Sequence, residues 1–493
     1  GMAETIPPFL QSYTPTPGVF DELWRREASA PTSLNSGAFP MGTLNPGSPS
    51  LSELIQPHWR GVIQNFAALG NEGIAAMQQE AQRMLRDNGV TYNVHGDVGG
   101  HQRPWPLDLM PLVLSESDWE TIRVGVQQRA HLLNLMLTDI YGERRLLRQG
   151  ILPAALIYGH SGFLRACHEL RLPYKQQLIL YGTDLARGPD GQMWVVSDRT
   201  QAPSGAGYAL ENRTVMARLM QSSFRDDKIQ RLSNYFRTLQ NTLAESAFQH
   251  KELPRTVILT PGPYNETYFE HAYLAAYLGY SLVQGDDLTV SNGRLSLKAL
   301  SGLQPVDVIL RRVDDSFCDP LELRADSRLG VAGLLESARR QNVTIINPLG
   351  SGVLENPRLM PFMPSVARYF LGEDLKLPSA ATWWCGQQKE MDYVLEHLST
   401  LVIRRVARSG ASATLLGAKL SADELQTLRQ RILAEPEQYV GQEQISFSTA
   451  PAFVNNHCEP RNTILRTFAV ATGNDYEIMP GGLARSAPAS DTL

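Results

Sequence analysis

Between Arg255 and Asn347, short β-branched runs alternate with a helical stretch, and this alternation constrains the fold more than any other feature of the chain. TVILT (256–260) leads through ETYFEHAYLAAYLG (266–279) into YSLVQGDDLTV (280–290), and VDVILRRV (306–313) and VTIIN (343–347) follow. Strands separated by a helix-period segment predict a mainly parallel sheet, because parallel neighbours need a crossover connection. Before this region, QLILYGTDLA (177–186), the turn GPDG and QMWVVSD (192–198) spell an antiparallel hairpin turning at Asp190-Gly191. After it comes a smaller unit: strands TLVIRRV (400–406) and ATLLGA (413–418), a helix opened by the capping box Ser421-x-x-Glu424, and a returning strand YVGQEQISF.

Toward the N-terminus the signals are helical. Residues 28–50, rich in Pro, Ser, Gly, Asn and Thr, read as a loop or surface-wrapping tail. Helices are predicted over 51–69 and 71–88, the second closed by Asn88-Gly89. A longer one starts at a capping box Ser117-x-x-Glu120 and carries Trp119, Ile122, Val126, Leu133, Leu137 and Ile140 on one side. The 493 residues, 43% of them apolar, can bury a sizeable core. A formal charge of -5 (45 Lys plus Arg against 50 Asp plus Glu) argues against a nucleic-acid partner. No apolar run reaches the ~20 residues of a membrane span, and the start lacks the pattern of a signal peptide. Cys167, Cys318, Cys385 and Cys458 form no CxxC pair and read as reduced thiols. The expectation is a soluble, cytoplasmic protein.

The last unit, with its basic strand, Gly/Ser loop and strand ending in Gln-Glu, resembles the nucleotide lid of ATP-grasp proteins. The hairpin resembles the metal-bearing hairpin of the same fold, but it precedes the lid, which is the order of the circularly permuted type. Longer strings are similar to the type 2 branch of that family, related to glutathionylspermidine synthase: YNVHGD (92–97), RTQAPSGAGYALENR (199–213), TPGPYNETYFEH (260–271), RRVDDSFCDPLELR (311–324), QEQISFSTAP (442–451) and MPGGLAR (479–485). The resemblance implies an α/β, circularly permuted ATP-grasp fold with a mainly parallel pre-ATP-grasp-like sheet and a small nucleotide-lid lobe. Its segments would be 1–89 (tail and helices), 90–254 (permuted large lobe with the hairpin), 255–377 (substrate-binding α/β unit), 378–445 (lid) and 446–493 (return to the large lobe).

The resemblance also implies ATP and Mg²⁺ as cofactors, and a carboxylate and an amine, small-molecule or peptide, as substrates joined through an acyl phosphate. Arg404, Ser409, Gly410, Gln442, Glu443 and Arg466 would hold the nucleotide, and Asp184 and Asp198 the metal. The chain departs from the family where function is most exposed. Ser197 and Arg199 stand in place of the metal-binding Glu and Asn; Mg²⁺ takes hard oxygen ligands, and a guanidinium only donates. The phosphate loop reads RSGASA (408–413), with Cβ atoms limiting how closely amides approach a phosphate, and Ile464 replaces an Asp. The sequence ends before a tail common in the family, so a helical partner domain is a further expectation.

Each remaining constellation has two readings. Arg311, Arg312, Asp314, Asp315 and Asp319 form either a solvated charged loop or a catalytic, substrate-holding cluster at the carboxyl end of a parallel strand. Tyr264, Asn265 and Glu266 form either a plain strand-to-helix turn or a substrate-binding one. Ser204, Glu211 and Asn212, just after the hairpin, lead into a helix or line the cleft. His95, Asp97, His101 and Asp108 lack the tight spacing of a zinc site and read as a cleft-lining loop. Of Arg404 and Arg405, alternation lets only one face the cleft. Two functions remain in view: an ATP-dependent carboxylate–amine ligase with a degraded metal site, or a degenerate ATP-grasp scaffold that binds nucleotide, peptide or a partner protein without turnover.

Overall fold

The computed structural model describes residues 5–25, 50–93, 102–104, 107–221, 232–248, 253–406 and 413–487. Among these, a six-stranded antiparallel sheet holds the centre. Its longest strand, His457–Ala471, pairs along one edge with Thr449–Val454 and with Leu180–Arg187, and along the other with Leu483–Ala487 and Tyr476–Ile478. Leu180–Arg187 continues through the predicted hairpin into Met193–Arg199, turning where Gly191 takes φ 89°. Leu180–Arg187 is buried at every position, so both faces of the sheet are covered where the hairpin joins it.

The alternating segment forms the predicted parallel sheet, in the order Thr344–Ile346, Val308–Arg311, Thr256–Leu259, Ser281–Val283. The crossover helix Tyr268–Leu278 ends at Gly279, whose φ of 77° suits a residue without Cβ. The run 280–290 is not one strand. A 3-10 turn at Gly285–Asp287, boxed by Gln284 and Asp287, breaks it. Its second half opens a separate meander of Leu288–Ser291, Arg294–Ala299 and Gly302–Pro305.

The smaller unit is an antiparallel sheet in the order Thr382–Trp384, Tyr439–Glu443, Leu401–Arg405, Ala413–Leu416. Helices Gln388–Glu396 and Ala422–Ala434 cover one face, and the capping box of Ser421 and Glu424 is formed as predicted. This unit has its own small core, including Val394, Leu401, Ile403, Leu428 and Ile432.

Two helix expectations are revised. The N-terminal helix Arg60–Asp87 kinks at Gly70 (φ 69°), where the sequence predicts a break, but residues 51–59 form only a short helix and a 3-10 turn. The long helix is Glu116–Ile140, capped by Ser115, whose Oγ accepts from Asp118 N at 3.1 Å; the cap lies two residues before the predicted Ser117. Both serines head an S-x-x-acid pattern, and the upstream one wins. No described helix is long and apolar enough to cross a membrane.

The long helix is tied to the hairpin by one ion pair. Arg129 Nε and Nη2 donate to the two oxygens of Asp198 at 2.8 and 2.9 Å, Tyr181 donates to the same carboxylate, and both charged side chains are almost fully buried. Truncating one partner of such a pair strands a buried charge. Arg129→Ala should therefore lose about 3–5 kcal/mol of stability in denaturant unfolding, and a loss near zero would show that Asp198 is neutralised by other means.

Candidate functional site

The hairpin's two faces carry different chemistry. Asp184 sits opposite Ser197, and Gly182 opposite Arg199, so with a side-chain period of two these share one face. On the long strand, Arg466 sits opposite Asp184 and joins that face. Asp184 Oδ1 accepts from Arg466 Nε at 2.8 Å; Oδ2 accepts from Ser197 Oγ at 2.6 Å, Arg199 Nε at 3.2 Å and Arg466 Nη2 at 3.3 Å. Burial raises the Asp184 pKa, but Arg466, Arg199 and Ser197 outweigh it and hold the carboxyl below its usual range. Arg466 Nη1 also donates to Ser204 O and Oγ, which brings Ser204 to this site.

Asp198 lies on the opposite face with Thr183, turned to Arg129. Asp184 and Asp198 therefore do not converge on one ion, and guanidinium groups occupy both carboxylates. Among the described residues, no group of three His, Cys, Asp or Glu side chains could hold a metal. Asp184 and Asp198, each paired with an arginine, do not fit Mg²⁺, which needs several free oxygen ligands.

The lid strands sort in the same way. Arg404, Val402 and Gln442 share the lid face turned away from its small core, since Val402 is opposite Gln442 and Arg404 is two residues on. Arg404 is half-buried and lines a small cleft with Ser197, Glu355, Asn356 and Met360. Its Nε is buried without a hydrogen-bond partner among the described residues. Desolvation and the nearby Arg199 push its pKa down, while Asp184 opposes them. Arg405 points the other way and meets Glu435 and Gln438. Gln442 Nε2 donates to Thr382 Oγ1 at 3.1 Å, whereas Glu443 falls on the opposite lid face and is exposed. Ser409 and Gly410 lie outside the described residues, as do His95, Asp97 and His101.

The charged cluster after Val308–Arg311 is mostly internal scaffolding. Arg311 donates to the carbonyls of Val313, Asn347 and Pro348 and to Ser351 Oγ and Gln201 Oε1. Arg312 donates to the carbonyls of Ala202 and Pro203 and to Glu270. Asp315 accepts from Gly350 N and Gly352 N, and Asp319 from Leu321 N, Gly333 N and Leu335 N. Arg311, Arg312 and Asp315 thus brace the loops 201–205 and 347–352, while Asp319 ties down residues 321 and 333–335; of the five expected catalytic residues, only Asp314 is exposed. Glu211 accepts from Asn88 and is buried, Asn212 is half-buried on the same helix, and half-buried Asp108 accepts from the amides of Met110 and Phe453. Tyr264 is exposed, Asn265 makes a turn with Thr267, and Glu266 is exposed near Arg485.

The comparisons with known proteins agree with this architecture. A family model described as circularly permuted ATP-grasp type 2 matches residues 111–487. An uncharacterized protein of Mycobacterium tuberculosis is 38% identical over 450 residues, covering 89% of this chain and 51% of that protein. The chain thus spans about half the length of that relative. An uncharacterized protein of Synechocystis sp. is 35% identical over 442 residues, covering 90% of this chain and 91% of its own length. Among solved structures, a glutathione synthetase-like effector from Globodera pallida shares the fold, with a TM-score of 0.56 at 14% identity over 85% of this chain and 95% of that one.

One group in the cleft has no counterpart in the sequence reading. Glu355 is the last residue of the 3-10 helix Ser351–Glu355, accepts from Thr200 N at 3.2 Å, and has its pKa pushed up to about 7 by burial against the lowering effect of Arg199, with Asp315 and Asp314 adding repulsion. Arg404 lines the same cleft from the lid. Because the folded-state pKa is raised, protonated Glu355 favours the folded protein, and this contribution is lost as pH rises through about 7. The same proton sets the charge of the cleft. Sulfate, whose charge is constant over this range, should bind about tenfold more weakly once Glu355 ionises. Calorimetry from pH 5.5 to about pH 8.5 should show this fall in wild type and its loss in Glu355→Gln. A profile shared by both proteins would assign the titration elsewhere.

Proposed function

Because the chain belongs to the circularly permuted ATP-grasp type 2 family, we propose that it is an ATP-dependent carboxylate–amine ligase by descent, with the nucleotide held between the lid and the central sheet. The observation that supports this reading is that Arg404 on a lid strand lines a cleft with Ser197 of the sheet and lies within electrostatic reach of Arg199 and Asp184, while Gln442 shares the lid face of Arg404. In a ligation of this class a carboxylate takes the terminal phosphoryl group and an amine displaces it. The acid and amine would be small molecules or peptides, and a helical partner domain fits the greater length of the mycobacterial relative. The four buried free cysteines fit a reducing cytoplasm.

Phosphoryl transfer depends on positioning and on neutralising charge. The side chains of this chain can position phosphate through guanidinium groups, and Glu355, with a pKa near neutrality, suits proton removal from an incoming amine. The neutralised Asp184 and Asp198 favour a second reading beside the first: a scaffold that binds nucleotide with feeble turnover. Loss of one electrostatic contact can cost on the order of a hundredfold in rate.

One measurement tests the nucleotide site that both readings share, and a second separates the readings. Gln442→Ala should weaken ATP binding by about tenfold in calorimetry; undiminished binding would move the adenine site off the lid. In a phosphate-release assay with panels of acids and amines, wild type should stay near background. Robust turnover would make the ligase reading complete and overturn the degenerate one.

A further inference from the structure

We propose that the cleft is a metal-independent site for a polyphosphate chain, its charge met by Arg199, Arg404, Arg466 and Arg485 in place of a divalent cation. The sheet register brings these residues together. Leu483 is opposite Arg466, and Arg485 lies two residues beyond Leu483, so Arg485 and Arg466 emerge on one face. Arg199 and Asp184 share that face through the hairpin pairing. Gly182 opposite Arg199 lets the stem of that side chain lie close to the first strand; a Cβ there would come within 3.0 Å of Pro203 Cβ and 3.3 Å of Arg199 Cβ. Arg404 approaches from the lid.

Three buried arginines outside the cleft have their own carboxylates: Arg129 has Asp198, Arg187 has Glu22, and Arg312 has Glu270; buried Arg311 and Arg358 bond instead to carbonyl, hydroxyl and amide oxygens. In the cleft, Arg466 and Arg199 share the single carboxylate of Asp184, and Arg404 Nε is buried without a partner among the described residues. Desolvation, followed by the positive charges of Arg466 and Arg199, also holds Arg485 below the usual arginine range, with Asp184 and Glu266 opposing them. Four guanidinium groups stand against Asp184, with Glu355 and Glu266 at the margins, and this leaves an excess of positive charge that a cation would worsen and a polyanion would relieve. Guanidinium forks match phosphate oxygens in bidentate fashion, so they can supply the charge that Mg²⁺ normally brings.

The site rests on the proposed nucleotide reading only for the identity of the anion: the chain of phosphates could belong to a nucleoside triphosphate or to free inorganic polyphosphate. The test is calorimetric titration of the whole chain with tripolyphosphate, ATP and adenosine, in EDTA and in excess Mg²⁺. Tripolyphosphate should bind wild type in EDTA, with no gain from Mg²⁺. Arg404→Gln and Arg485→Gln should each weaken it by about tenfold or more, while Arg294→Gln, on the exposed meander remote from the cleft, should leave it unchanged. Circular dichroism and melting curves check that the variants fold. Binding that requires Mg²⁺ would overturn the inference and leave the nucleotide reading standing. Equal weakening by Arg294→Gln would also overturn it, by reducing the effect to general charge. ATP binding no tighter than tripolyphosphate, with adenosine failing to compete, would sink the nucleotide reading alone. Absence of any binding would remove both.

Discussion

One buried carboxylate, Asp184, joins three strands of the central sheet. It lies on Leu180–Arg187, receives Ser197 and Arg199 from the hairpin's second arm, and receives Arg466 from the long strand 282 positions away. Charge-assisted hydrogen bonds of this kind are roughly twice as strong as neutral ones. Breaking them would leave two arginines facing each other across a desolvated face. The arrangement therefore fixes both the register of the hairpin on the long strand and the direction in which the guanidinium groups point. Because side chains alternate, it also fixes what lies behind: Asp198 must turn inward, where Arg129 neutralises it.

A second tier of buried arginines sets the loops around this face. Arg312 and Glu270 form one such unit. Glu270 accepts the amides of Gly205, Gly207 and Tyr208, and so caps the helix Ala206–Leu219, which lacks a side-chain cap of its own. Gly205 takes φ 117° there, and a Cβ would press on Leu483 and Phe468. Arg312 holds the carbonyls of Ala202 and Pro203 just upstream, so the segment leading to Ser204 is clamped from both sides. Arg311 does the same for the carbonyls of Asn347 and Pro348, close to the turn that presents Glu355. These charges act on the site through backbone position, which explains why residues so dense in charge are almost wholly buried.

The local signals in the sequence were readable because their physics is local. The hairpin, the crossover helix ending at Gly279 and the capping box at Ser421 each depend on residues a few positions apart, and the structure has all three. The family strings carried the permuted order of lid and hairpin. What the sequence hid depends on distant partners. The role of Arg311 and Arg312 turns on carbonyls of loops 201–205 and 347–352, which no periodicity reveals. The inward turn of Asp198 follows from its partner Arg129 on another element, although alternation alone separates it from Asp184. The meander at 288–305 has strands of four to six residues with mixed burial, too short for a clear pattern. Glu355 had a faint signal, a Glu-Asn-Pro string at the start of a 3-10 helix, but its meaning needs the lid to close over it.

Replacing a metal by guanidinium groups changes what such a cleft can do. A divalent ion arrives with its ligand, bridges phosphate oxygens and absorbs charge as the terminal phosphoryl group leaves. Arginines anchored to Asp184 are present before the ligand and stay after it, and their hydrogen bonds have fixed directions. Such a site can hold the starting polyanion well, but it stabilises the transition state only if its donors already point where charge will develop. Part of the donor capacity of Arg466 and Arg199 is spent on Asp184 and Ser204, which ties those groups to the sheet. Arg404, whose Nε has no partner among the described residues and which sits on a lid with its own small core, is the guanidinium of the proposed site least tied to the sheet. If the cleft takes a polyphosphate as proposed, the sheet would contribute binding, and the groups left for chemistry would be Arg404 on the lid and Glu355 on the 3-10 helix Ser351–Glu355.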